Sequence, residues 1–168
     1  MKTVVIGLGN PILMDDGVGI KVAREIKDRL RGLSLFMDGA ARSHRMGTVP
    51  GVTVKEAGAG GMRLMDELIG YERALIVDAM VTGTCKPGTL HELSLSDLVC
   101  TRNMVCTHDT NLPTALEMGR MLGLSLPSDI RIWGIEAVEV ESFGEELTEE
   151  VAAAVPEAVD RIMAEIYK

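Results

Sequence analysis

Three acids and one imidazole are the residues of this chain best suited to chemistry: Asp15, Asp16, Asp78 and His108. Asp15 and Asp16 follow the glycine-rich turn Gly7-Leu8-Gly9-Asn10-Pro11 and precede Gly17-Val18-Gly19. Asp78 closes the apolar run Ala74-Leu75-Ile76-Val77, and His108 stands within Thr107-His108-Asp109-Thr110-Asn111. Two carboxylates and an imidazole supply oxygen and nitrogen donors that suit a borderline divalent ion such as nickel, zinc, iron or manganese. Three protein ligands leave coordination positions open to a substrate. A cation also relieves a repulsion. Two ionised carboxylates about 5 Å apart at an effective dielectric of about 20 repel by roughly 3 kcal/mol, enough to raise one pKa by about two units. A divalent ion reverses that local field and keeps both ionised. The competing reading is structural: an acid at a helix start caps it, and an acid at a strand end bonds to backbone. Successive residues at a helix start point about 100° apart, so one of Asp15 and Asp16 faces the site, and spacing alone leaves open which.

These residues need a scaffold that gathers them. Val4 to Leu8 reads as a strand buried on both faces, and Val18, Val22, Ile26 and Leu30 then repeat at helical spacing, with Gly32 expected to end the helix. Asp38 to Pro50, with Arg42, Ser43, His44 and Arg45, reads as a polar loop before a second strand at Val52-Thr53-Val54. A short helix is expected from Met62 to Ile69, a buried strand from Ala74 to Ala79 that Asp78 brings to its end, and a weaker edge strand from Thr89 to Leu95. The Lys86-Pro87-Gly88 turn makes that last step hairpin-like and the sheet mixed. Leu112, Leu116, Gly119 and Leu122 mark a helix stripe, and Ile130 to Val138 a last strand carrying Trp133. Val151, Val155, Ile162 and Ile166 build a C-terminal helix with Thr148 as N-cap, Glu149 and Glu150 favourable to its dipole, and Pro156 expected to bend it. This predicts a single three-layer α/β/α domain over residues 1–168, with a twisted, mostly parallel, mixed sheet of about five strands. In such sheets ligands bind beyond the strands' carboxyl ends, so acids distant in sequence meet there.

Composition narrows the classes. A net charge of −8 argues against tracking a phosphate backbone. An aromatic content of 3%, with Trp133 the sole tryptophan, leaves little for a base-stacking platform. Eleven methionines fill irregular cores or line an adaptable protein-binding surface. Cys85, Cys100 and Cys106 form no Cys-x-x-Cys, so neither a disulfide framework nor a thiolate zinc site is expected; Cys106, two residues before His108, is placed to be a nucleophile or fourth ligand but reads more readily as a buried inert thiol. His44 and His91 read as surface residues, and Gly58, Gly60 and Gly61 as a turn before a helix. No signal peptide or membrane span is read in the chain, and a reducing, cytoplasmic setting is expected. Gly7-Leu8-Gly9 matches only the opening of a dinucleotide fingerprint, because Pro11 and Ile12 break it. No organic cofactor is expected. A nucleophile-elbow serine is also missing.

The chain resembles the [NiFe]-hydrogenase maturation endopeptidases. The resemblance spans most of its length and rests on Gly7-Leu8-Gly9-Asn10-Pro11 through Asp15-Asp16-Gly17-Val18-Gly19, Leu75-Ile76-Val77-Asp78-Ala79, Pro87-Gly88-Thr89, Thr107-His108 and Gly134-Ile135-Glu136. It implies that Asp16, Asp78 and His108 are the metal-contacting and catalytic positions, Asp standing at the first where relatives carry Glu or Asp. It implies hydrolysis of one peptide bond, removing the C-terminal extension of a hydrogenase large-subunit precursor after nickel insertion, the nickel arriving with the substrate. Where many relatives read Asp-Gly-Gly before the second helix, this chain reads Glu56-Ala57-Gly58, a departure that bears on substrate preference. Two other readings compete. A non-catalytic nickel-sensing or precursor-docking module would carry the same ligands without proteolysis. Gly7 to Pro11 also resembles the start of a peptidyl-tRNA hydrolase, but that family needs a histidine soon afterwards, whereas the first histidine here is His44.

Overall fold

The computed structural model describes residues 1–37, 50–58, 60–95 and 111–168, with the backbone alone for 34–37. Its elements are β1 (Thr3–Leu8), a 3-10 turn (Met14–Gly17), α1 (Val18–Met37), β2 (Val52–Ala57), α2 (Gly61–Leu68), β3 (Arg73–Met80), β4 (Leu90–Leu93), α3 (Leu112–Met121), β5 (Asp129–Glu136) and α4 (Glu149–Ile166). The strands form one five-stranded sheet in the order β2-β1-β3-β5-β4, all parallel except β4, which runs antiparallel to β5.

Alternation along the strands builds the layers, because successive side chains leave a strand on opposite faces. Val5, Leu75, Val77, Trp133 and Ile135 pack with Val18, Val22 and Ile26 of α1 and Val151, Val159 and Ile162 of α4. Val4, Ile6, Leu8, Ile76 and Ile132 pack on the other face with Leu64 and Leu68 of α2 and Leu112 and Leu116 of α3. The α/β/α layering is therefore as expected. β1 and β3 are covered on both faces and are wholly apolar over Val4–Ile6 and Ala74–Val77.

Several boundaries differ from expectation. Gly32 does not end α1, which continues to Met37. A glycine lowers helix stability by about 1 kcal/mol without obliging termination. β3 passes Asp78 by two residues, pairing Asp78 with Gly134 and Met80 with Glu136, whereas β5 stops at Glu136, short of Val138. The step after Gly88 is no hairpin with β3, because β5 lies between β3 and β4. Leu122 lies beyond α3 and is exposed, and the buried stripe of the helix is Leu112, Ala115, Leu116 and Gly119. Helix α4 runs on through Pro156. The loop Asp38 to Pro50 falls, apart from Pro50, outside the described residues.

Two glycines allow α1 to sit close to the sheet. A Cβ on Gly19 would lie 2.3 Å from the Leu8 carbonyl oxygen and 2.5 Å from that of Val77. At Gly9, φ is +137° and a Cβ would lie 1.9 Å from the Asp16 carbonyl oxygen, so the turn after β1 closes only with glycine there.

Candidate metal-recognition site

The chain order creates a crevice. From β1 the chain passes through α1 to β2 on one side; from β2 it passes through α2, on the opposite face, to β3 on the other side of β1. Such a reversal between β1 and β3 opens a crevice at their carboxyl ends. The turn bearing Asp15 and Asp16 follows β1 there and packs against β3, which carries Asp78 near its carboxyl end.

Four carboxylates at this edge are almost completely buried: Asp15 and Asp78 at 0% exposure, Asp16 and Glu136 at 2%. Burial of a charge without partners is costly, and each of the four accepts hydrogen bonds. Asp15 is saturated by protein donors. Its Oδ1 accepts from the Thr148 backbone N–H at 2.7 Å, its Oδ2 from the N–H groups of Val138 (3.2 Å) and Glu139 (3.0 Å), and the Thr148 hydroxyl reaches both oxygens at 3.0 Å. Asp16 Oδ2 accepts the Asn10 N–H at 2.8 Å across the glycine turn, and Asp78 Oδ1 accepts the Ala79 N–H at 2.9 Å. By strand parity Asp78 shares the face of Ile76, on which α2 and α3 pack.

Glu136 was missed as a site-building residue. Its Oε1 accepts from Thr82 N–H (2.9 Å) and Gly83 N–H (2.8 Å), and its Oε2 from the Thr82 hydroxyl (2.8 Å). It thereby fixes the turn that leaves β3 beyond Asp78. The available signal was an acid closing the otherwise apolar run Ile132 to Ile135. Asp15 was weighed as a helix cap; its partners instead lie 123 to 133 residues away.

The Met14–Gly17 turn depends on these distant partners. Leu13, at its N-cap, gives no side-chain bond, and Met14 adopts φ of +44°. Met14 N–H donates to the Gly144 carbonyl at 2.8 Å, Gly144 N–H to that of Ile12 at 3.0 Å, and Asp15 N–H to that of Glu139 at 2.9 Å. Thr148 is the N-cap of α4 as expected, yet its hydroxyl makes no capping bond and serves Asp15 instead. Beyond this, the backbone N–H of Ser142, then that of Glu141 and the Ser142 hydroxyl, hold the Glu139 carboxyl below its usual range.

His108 and Cys106, with His44 and Cys100, lie outside the described residues. The segment resumes at Asn111, whose side chain caps α3 by accepting the Thr114 N–H at 3.0 Å. Cys85 is exposed and free. His91 is partly buried rather than on the surface, and β4 places it opposite Gly134 of the neighbouring strand. Among the described residues alone, no group of three His, Cys, Asp or Glu side chains is disposed to hold a metal ion. Nor is any helix among them long and apolar enough to cross a membrane.

The chain is 24% identical to the hydrogenase 2 maturation protease of Escherichia coli, over 98% of this chain and 90% of that protein. It is 28% identical to a putative hydrogenase maturation protease of Methanocaldococcus jannaschii, covering 98% and 96% of the two chains. Its fold is similar to that of the hydrogenase maturating endopeptidase HybD from E. coli, with a TM-score of 0.74 at 21% identity over 99% of this chain and 93% of that one. It is likewise similar to HybD from Thermococcus kodakarensis, with a TM-score of 0.65 at 24% identity and full coverage of both chains. The family model for hydrogenase maturation protease matches residues 40–165, three quarters of the chain, and the protein therefore belongs to that family of peptide-bond hydrolases.

Proposed function

We propose that this protein removes the C-terminal extension of a nickel-loaded [NiFe]-hydrogenase large-subunit precursor in the cytoplasm, with Asp16, Asp78 and His108 recognising the nickel that the precursor carries. The observation that carries this reading is the placement of two buried carboxylates, Asp16 and Asp78, on the two elements that flank the β1/β3 crevice. His108 joins them on the strength of the family resemblance.

Carboxylate and imidazole donors suit nickel(II), and a set of three leaves positions for the ligands the precursor already supplies. Recognition of the cargo makes loading a condition of cleavage. The cation supplies Lewis-acid polarisation of a nearby scissile carbonyl. Water attacks that carbonyl, a carboxylate of Asp16 or Asp78 orients the water and takes its proton, and the proton passes to the departing amine nitrogen as the C–N bond breaks.

The test is to incubate purified protein with nickel-loaded and nickel-free precursor and read intact masses. One shortened product from loaded precursor alone is expected. Equal cleavage of both removes nickel recognition, and an unshortened precursor favours a non-catalytic docking module.

A further inference from the structure

We infer that Asp15 is a positioning residue for this site: its carboxylate latches the 138–148 segment onto the Met14–Gly17 turn and thereby fixes where Asp16 presents its own carboxylate. The inference rests on the reading of Asp16 given above.

The turn has little to hold it locally. It is four residues long, lacks a side-chain N-cap and begins at a non-glycine residue with positive φ. Its geometry comes from across the molecule. Asp15 grips the Glu139 peptide from both sides, donating its N–H to the carbonyl and accepting the N–H on its carboxylate. The same carboxylate takes both the N–H and the hydroxyl of Thr148. All four donors are fixed by the backbone or by one short side chain, so the acid is held without long flexible partners.

The Thr148 hydroxyl supplies a second argument. At an N-cap a hydroxyl ordinarily accepts an N–H from the helix's first turn. Here it donates to Asp15 instead. Asp16 follows directly in the chain, and the Asn10 N–H on its Oδ2 reports where that carboxylate lies.

Asp15→Ala would remove the shared acceptor of four part-buried donors and endanger folding, so Thr148 is the better probe. In the full-length protein, Thr148→Val removes the hydroxyl and keeps the N–H, whereas Thr148→Ser keeps both. Three readouts are compared: amide exchange, thermal melting and steady-state processing of nickel-loaded precursor. Thr148→Val is expected to speed exchange of the Asn10 amide about tenfold while the β1 and β3 amides keep their protection. Its kcat should fall about tenfold with a smaller change in KM, as for residues that orient a ligand through another group. Thr148→Ser should restore both. Unchanged Asn10 exchange, or exchange that quickens evenly throughout, overturns the inference. So does normal processing by Thr148→Val when Asp16→Ala is inactive. Normal processing by Asp16→Ala instead overturns the assignment of Asp16 itself, which keeps the two failures distinct.

Discussion

Buried acids of the same chemical type perform different work here, and their hydrogen-bond partners predict different responses to the same isosteric change. Asp15→Asn places an amide NH2 against backbone N–H donors whichever way it turns, since each oxygen already accepts at least one. It should cost about 1–2 kcal/mol in urea unfolding, the penalty of setting an NH2 against donors at a part-buried site. Glu136→Gln is the contrasting case. The amide oxygen keeps the Thr82 and Gly83 N–H groups, and the Thr82 hydroxyl rotates to accept from the new NH2. Its cost should stay below about 1 kcal/mol. Asp16→Ala and Asp78→Ala are expected to lower precursor processing at least about a hundredfold, read as product formed by mass, because each removes a proposed ligand. The candidate acids were legible from residue types beside a glycine turn and at a buried strand. The engagement of Asp15 by Val138, Glu139 and Thr148 was not, because only the fold brings those residues near.

At the scale of elements, the close seating of α1 is decided at its first turn. Gly19→Ala drives a methyl into two strand carbonyls and should cost roughly 3 kcal/mol or more, seen as a lower denaturation midpoint. Gly32→Ala meets nothing within 4 Å in the same helix and should stabilise by about 0.5–1 kcal/mol. The pair also explains how the sequence misled: the same residue type marks a contact at position 19 and no boundary at position 32. Apolar periodicity located every strand and helix among the described residues, since burial of β1, β3, α1 and α4 follows hydrophobic pattern directly. It gave the strand pairing less well. β4 lies beside β5 rather than β3, a pairing set by long-range packing rather than by the Pro87-Gly88 turn.

Across the whole molecule, α4 is fastened at both ends, to the Asp15 carboxylate at the crevice and to an ion network at the opposite edge of the sheet. There the buried Arg73 guanidinium pairs with Glu165 (2.8 Å) and Asp129 (2.8 Å) and donates to the Glu165 carbonyl at 2.6 Å. The Lys168 ammonium, hydrogen-bonded to Glu165, is the main influence holding its carboxyl below the ordinary value of 4.5; burial opposes this, and Arg73 and Arg131 reinforce it. Its depressed pKa means that its stabilisation is present above about pH 4.5 and is lost as pH falls through the lower folded value. Urea melts from pH 7 to 3 should therefore show a shallower acid decline in Glu165→Gln than in the native chain. Such fastening holds the crevice edge against the rest of the fold, and the central claim is that Asp16, Asp78 and His108 meet there around one cation. The most direct measurement is a crystal structure of the protein soaked with a divalent ion. Oxygens of Asp16 and Asp78 and a ring nitrogen of His108 at about 2.0–2.2 Å from one metal are the predicted result. A metal bound elsewhere, or His108 on the far side of the sheet from Asp78, would contradict it.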